Sequence, residues 1–188
     1  MEESKEILYG KLSGVHLAYG YVEHSENPKG GSMSKTVNVP KQDTPVHKDL
    51  VQAFKNLIPH FMLICQQVPE NEEITNAIQE GMSLEPIDDE NSIFFPYEVH
   101  HFKISGSGEN EGVYIEGTRL LGRGGILKLS SPKEKWSGDY KYAYELTEAI
   151  QNLKDETYEY SKGKRAPLPE DDQEALVFDE ADLTVVED

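Results

Sequence analysis

Disulfide chemistry, a membrane span and an excess of positive charge are all missing from this 188-residue chain. A single cysteine, Cys65, rules out an intrachain disulfide and suits a reducing compartment. No apolar run approaches the ~18–20 residues that a bilayer crossing needs. Met1-Glu2-Glu3 is acidic where a secretory leader would be basic, so a cytoplasmic protein is expected. Lys and Arg number 18 against 35 Asp and Glu, a net charge of −17, which on average repels nucleic acid. Binding to nucleic acid would therefore need a local basic groove.

The basic residues stop altogether at Arg165. Nine acids follow it, which leaves the body 1–165 with 18 basic and 26 acidic residues, net −8. Pro167 and Pro169 open a tail with too little apolar content to fold alone, so residues 166–188 read as disordered. The length suits one domain with appendages.

Several chemical signatures are also missing. Gly106-Ser107-Gly108-Glu109-Asn110-Glu111-Gly112 is rich in glycine, but no Gly-Lys-Ser/Thr follows. A strand comes next where a phosphate loop needs a helix, and Glu109 and Glu111 would repel phosphate. A hairpin turn is the favoured reading. No serine stands in a Gly-x-Ser-x-Gly context, and Cys65 lies in an apolar helical pattern that would bury and silence its thiol. His100 and His101 are adjacent on an expected strand, where neighbours point to opposite faces and cannot easily share a metal. No catalytic constellation, cofactor or metal site is expected, and the chain reads as a non-enzyme.

What remains is a pattern of strands and helices. Residues 6–39 hold three strands: a hairpin turning at Ser13-Gly14, then Met33–Val39 ended by Pro40. A helix is predicted over 45–67, with Thr44 as its cap, Pro45 in its first turn and a kink at Pro59. Its apolar stripe runs through Leu50, Ala53, Phe54, Leu57, Ile58, Phe61 and Ile64. A short helix over 70–80 would turn Ile74, Ala77 and Ile78 inward, and Ile93-Phe94-Phe95-Pro96 would dock the following loop. Three more strands are expected within 99–129, at 99–105, 113–121 and 126–129, and a last helix over 139–162 with Gly163 just past its end. The fold class is α+β: two three-stranded antiparallel units, each followed by a helix, in a single domain 1–165. An unpaired edge in either unit would invite a homo-oligomer.

One stretch runs against the prevailing charge. Arg119, Arg123, Lys128, Lys133 and Lys135 fall within seventeen residues, and Trp136 and Tyr140 follow. Bases stacked on rings, with phosphates on cations, suit single-stranded nucleic acid. A solvated sheet edge beside core aromatics accounts for the same residues. In the tail, Phe178 and neighbouring apolar residues alternate with Asp179, Glu180 and Asp182. Such a segment can dock on a partner, fold back over the protein's own basic groove, or do neither.

The body resembles a group of small phage and prophage proteins. The shared residues are H-x-D-L-x-x-A-x-x-x-L over His47 to Leu57, then Ile64-Cys65. Next comes F-K-I-S-G … G-V-Y-I-E-G-x-R-L over Phe102 to Leu120. L-x-L-x-x-P over Leu127 to Pro132 and the run from Tyr160 to Ala166 complete the pattern. The resemblance implies early or recombination genes, a role in DNA metabolism or host interaction, and a bacterial host cytoplasm. It carries no catalytic residues. The tail is similar in kind to those of single-stranded DNA-binding proteins, which recruit replication partners. It departs from the bacterial form, which ends in an aromatic, since Phe178 lies ten residues inside. The expected function is thus a single-stranded DNA-binding accessory protein whose tail recruits a replication or recombination protein or autoinhibits. The alternative is an acidic interaction protein that blocks a host nucleic-acid-handling or defence enzyme.

Overall fold

Seven strands among the described residues join one sheet. The computed structural model describes residues 4–27, 31–42, 44–83 and 90–167. In chain order the elements begin with β1 (Ser4–Ser13), β2 (His16–Asn27) and β3 (Gly31–Val39). Three helices follow, α1 (Lys48–Lys55), α2 (Ile58–Ile64) and α3 (Glu72–Glu80). Then come β4 (Tyr97–Ser105), β5 (Gly112–Leu120), β6 (Ile126–Ser130), β7 (Glu134–Lys135) and α4 (Ala143–Ser161).

The spatial order is β3-β2-β1-β4-β5-β6, antiparallel throughout, with β7 continuing the outer edge of β5. The two expected three-stranded units therefore fuse, because β1 pairs with β4 through Tyr9–Lys103, Gly10–Phe102 and Lys11–His101. The short helix α3 lies where one is expected, while the division of the first helix and a seventh strand depart from the expected layout. Between β6 and β7 the edge breaks at Ser131. Its backbone N–H donates to the Ile115 carbonyl at 2.8 Å, and its Oγ accepts from the Ile115 N–H at 2.9 Å. The side chain thus keeps the β5 ladder satisfied where the strand bulges.

Local chemistry also moves the helix boundaries. The expected single helix over 45–67 divides into α1 and α2 at Asn56-Leu57. Pro59 has no N–H to continue the ladder and sits instead in the first turn of α2. Asn56 holds the break: its Oδ1 accepts from Met82 N at 3.0 Å and from Gln52 Nε2 at 2.7 Å. The cap of α1 is His47, whose Nδ1 accepts from Asp49 N at 3.3 Å, and not Thr44. Val46 N donates to Val15 O at 2.9 Å, so this segment is tied to the β1–β2 turn before the helix begins. Helix α4 starts four residues later than expected. It closes as expected, with Gly163 just past its end at φ +110°, a left-handed conformation that favours glycine.

All the helices lie on one side of the sheet. Ile7, Leu17 and Tyr19 from the first meander meet Val99, Phe102, Ile104, Val113 and Ile115 from the second beneath Phe54, Phe61, Leu146, Ile150 and Tyr160. Ile74 and Ile78 of α3 and Phe94 of the loop are buried there too, as their spacing predicts. Glycines admit the close approaches. A Cβ on Gly117 would lie 2.3 Å from the Glu98 carbonyl oxygen and 2.9 Å from the Phe61 ring. We expect Gly117→Ala to destabilise the fold by about 1–3 kcal/mol, since neither a paired backbone nor a fully buried ring can give way. Gly122→Ala, with open space around it, should be near neutral. Denaturant titration of both variants checks this, and equal midpoints would refute the packing account.

Candidate functional site

The stretch picked out by charge does not form one surface. Arg119 turns to the helix side, where its Nη1 donates to Gln67 Oε1 at 3.2 Å and its guanidinium sits 5.3 Å from the Tyr97 ring centroid. Arg123 is exposed in the β5–β6 turn. Lys128 is exposed on β6, opposite Thr118. Lys133 and Lys135 lie at the other end of β5. Lys135 pairs with Gly112 and its Nζ donates to Asn110 Oδ1 at 3.0 Å, while the Lys133 Nζ is beside Gly106. Lys128 stands opposite Thr118 and Lys135 opposite Gly112, so at ~3.3 Å per residue about 20 Å of β5 lies between these two positions.

The two aromatics are partly buried against the core. Trp136 packs against the hydrophobic cluster. Tyr140 lies against His60, with ring centroids 5.9 Å apart, and its hydroxyl is 3.0 Å from His60 Nδ1. Each ring is thus partly covered by protein. Phe178, Asp179, Glu180 and Asp182 lie outside the described residues.

The sheet face without helices carries a different cluster. Register places Tyr9 of β1, Lys103 of β4 and Tyr114 of β5 side by side in one row. The adjoining row runs Lys11, His101, Glu116 and Ser130, and the next Glu98, Thr118 and Lys128. At ~4.8 Å per strand, Tyr9 and Tyr114 are about 10 Å apart with the lysine between them. The Tyr9 ring lies over Gly20, where a Cβ would come within 2.2 Å of its Cε1, and meets His101 edge-on at 6.2 Å between centroids. His101 Nδ1 is 2.9 Å from Glu116 Oε2, and this contact, first among several causes, holds the Glu116 carboxyl below the usual range.

The histidine pair corrects the expectation of opposite faces. The β4–β5 register slips between Val99 and His101, leaving His100 as the extra residue of a bulge. Both imidazoles then stand near Glu98, Glu116 and Lys11. Burial, the largest cause, lowers the His100 pKa. Among the described residues no three His, Cys, Asp or Glu side chains are placed to hold a metal ion. On the other face, Cys65 is half-buried at the end of α2, and burial pushes its thiol up to about 11, so little thiolate forms at neutral pH. A cleft of about 330 Å³ opens between α1 and β4, lined mainly by apolar side chains including Val51, Phe54 and Tyr97.

Compared with protein-family models, curated proteins and solved structures, the chain matches none. The open face thus stands on its own geometry. A signal for it exists in the sequence, because Tyr9/Lys11, His101/Lys103 and Tyr114/Glu116 alternate with apolar or glycine positions. Charge density alone passed over them.

His60 supplies a test of the interior. It is 1% exposed, and burial pushes its pKa down to about 4 from 6.5. The folded state therefore holds the imidazole proton less well than the unfolded chain. This contribution is intact above pH 6.5 and is lost as pH falls toward 4. The difference in unfolding free energy between the parent and His60→Gln should shift by on the order of 3 kcal/mol between pH 7 and 4, with the parent losing. A pH-independent difference in urea titrations would refute it.

Proposed function

We propose that this protein binds single-stranded nucleic acid on the open face of its sheet. The observation that carries the reading is the row Tyr9–Lys103–Tyr114 on three adjacent strands of the face that no described helix covers. Two tyrosines whose backbones are about 10 Å apart offer rings for stacking with bases. Lys103 between them, with Lys11 and Lys128 in the neighbouring rows, meets phosphates. An antiparallel sheet that stacks bases on aromatics from adjacent strands is an established solution for single-stranded ligands. Glu98 and Glu116 on the same face limit affinity, so the reading is of modest, salt-sensitive binding.

The phage-type resemblance agrees with an accessory role in DNA metabolism inside a bacterial host. The acidic tail then recruits a replication or recombination partner or competes with the ligand. The second reading, an acidic protein that blocks a nucleic-acid-handling enzyme, is favoured by the net charge of −17. It would use the same surface to repel nucleic acid and attract a basic partner.

Fluorescence anisotropy with labelled oligo-dT and oligo-U at low salt separates the two. Tyr9→Ala and Tyr114→Ala should each weaken binding by ~1–3 kcal/mol, about 5- to 150-fold. Lys103→Ala should reduce the slope of log affinity against log salt by ~0.7. Undiminished binding by both tyrosine variants refutes the proposed face. Absence of binding at any salt selects the second reading.

A further inference from the structure

A separate feature lies at the far corner of the sheet. Leu120, Leu121, Ile126 and Leu127 surround the β5–β6 turn and are 43%, 41%, 67% and 40% exposed. Leu120 stands opposite Ile126, while Leu127 is opposite Arg119, whose side chain points to the other face. The corner is therefore apolar on both faces. Strand β6 is also the edge of the sheet: β5 pairs with one side of it, and among the described residues nothing pairs with the other. An apolar edge with unpaired backbone groups is a template for an added strand.

Charge narrows the choice of strand. Residues 117–133 contain no Asp or Glu and include Arg119, Arg123, Lys128 and Lys133, in a chain of net charge −17. Neither Arg123 nor Lys128 joins an ion pair among the described residues. A complementary strand should be acidic, apolar and rich in β-branched residues. A second copy of β6 would bring like charges together. The segment 174–188 of this chain has the required character. It has six acids, no Lys or Arg, and the run Leu183-Thr184-Val185-Val186.

Reach permits the contact within one molecule. The last backbone tie among the described residues is Ala166 N to Pro45 O at 3.3 Å, past the end of α4 where Tyr160 packs on Tyr19 of β2. From β2 to β6 is four strand spacings, about 19 Å. The sixteen residue steps from Pro167 to Leu183 span up to ~53 Å. We infer that the outer edge of β6 and the adjoining β5–β6 turn are the docking site for segment 174–188, which adds to the sheet as an acidic strand. The docking does not depend on nucleic-acid binding by the open face. It gives the tail a defined seat beside Lys128, at the border of that face.

Hydrogen exchange of the full chain, without oligonucleotide and at low salt, tests this on the amides of residues 121–131. Leu183→Asp/Val185→Asp alters only the tail, so the body folds as in the parent. We expect exchange in this double variant to be at least ~tenfold faster than in the parent. Arg123→Glu/Lys128→Glu should give the same loss of protection. Equal exchange in the parent and the tail variant overturns the inference. Protection that survives the tail change and grows with protein concentration also overturns it, and assigns the edge to a second copy. Either result leaves the tyrosine-variant binding test untouched.

Discussion

Three residue pairs between β1 and β4 hold the molecule together as one object. They join chain segments ninety or more residues apart, so the loop entropy is substantial and local hydrogen bonds alone would not repay it. The close fit of Gly10 against Phe102 makes the junction favourable. A Cβ on Gly10 would come within 2.7 Å of that ring, and the ring is fully buried under the helices. Bulges on both strands, after Ile7 and after Val99, flank the junction. They keep Tyr9 and Lys11 of one meander in phase with Lys103 and His101 of the other.

The helices divide the sheet into two unlike faces. Aromatic side chains with polar tips fasten that cover. Tyr160 packs on Tyr19 and its hydroxyl donates to Thr44 O at 3.0 Å, while Tyr142 donates to Glu70 at 2.7 Å. Arg165 lies over the Tyr160 ring at 3.7 Å and its Nη2 donates to Gln42 Oε1 at 3.2 Å. The Tyr160 and Arg165 contacts tie the end of α4 to the connection before α1, and the Tyr142 bond ties its start to the segment before α3. The same demand for buried aromatic area packs Tyr140 and Trp136 partly against the core. What is left for solvent is the face bearing Tyr9, Tyr114 and the lysines.

Much of the architecture could be read from spacing. The period-two runs marked every strand except the two-residue β7, and the three- and four-residue steps of Leu50, Ala53, Phe54 and Leu57 marked the α1 stripe. Ile74 and Ile78 were placed inward correctly, because a short amphipathic helix has only one way to bury them. The division at Asn56 was not legible, since Pro59 is compatible with either a kink or a new first turn. The side-chain bonds from Asn56 to Gln52 and Met82 decide it. The candidate surface was less legible. Clustered charge along the chain drew notice to Arg119–Lys135, yet β5 separates those cations and the helix side takes Arg119.

Local patterning was sufficient to specify strands, helices, an acid-rich tail and the absence of familiar catalytic motifs. Those are properties of neighbours a few residues apart. The joining of two meanders into one sheet, the bulge that turns His100 and His101 to one face, and the row Tyr9–Lys103–Tyr114 arise only in three dimensions. They depend on register between segments distant in the chain. A single-residue shift in that register would reverse which side chains meet water.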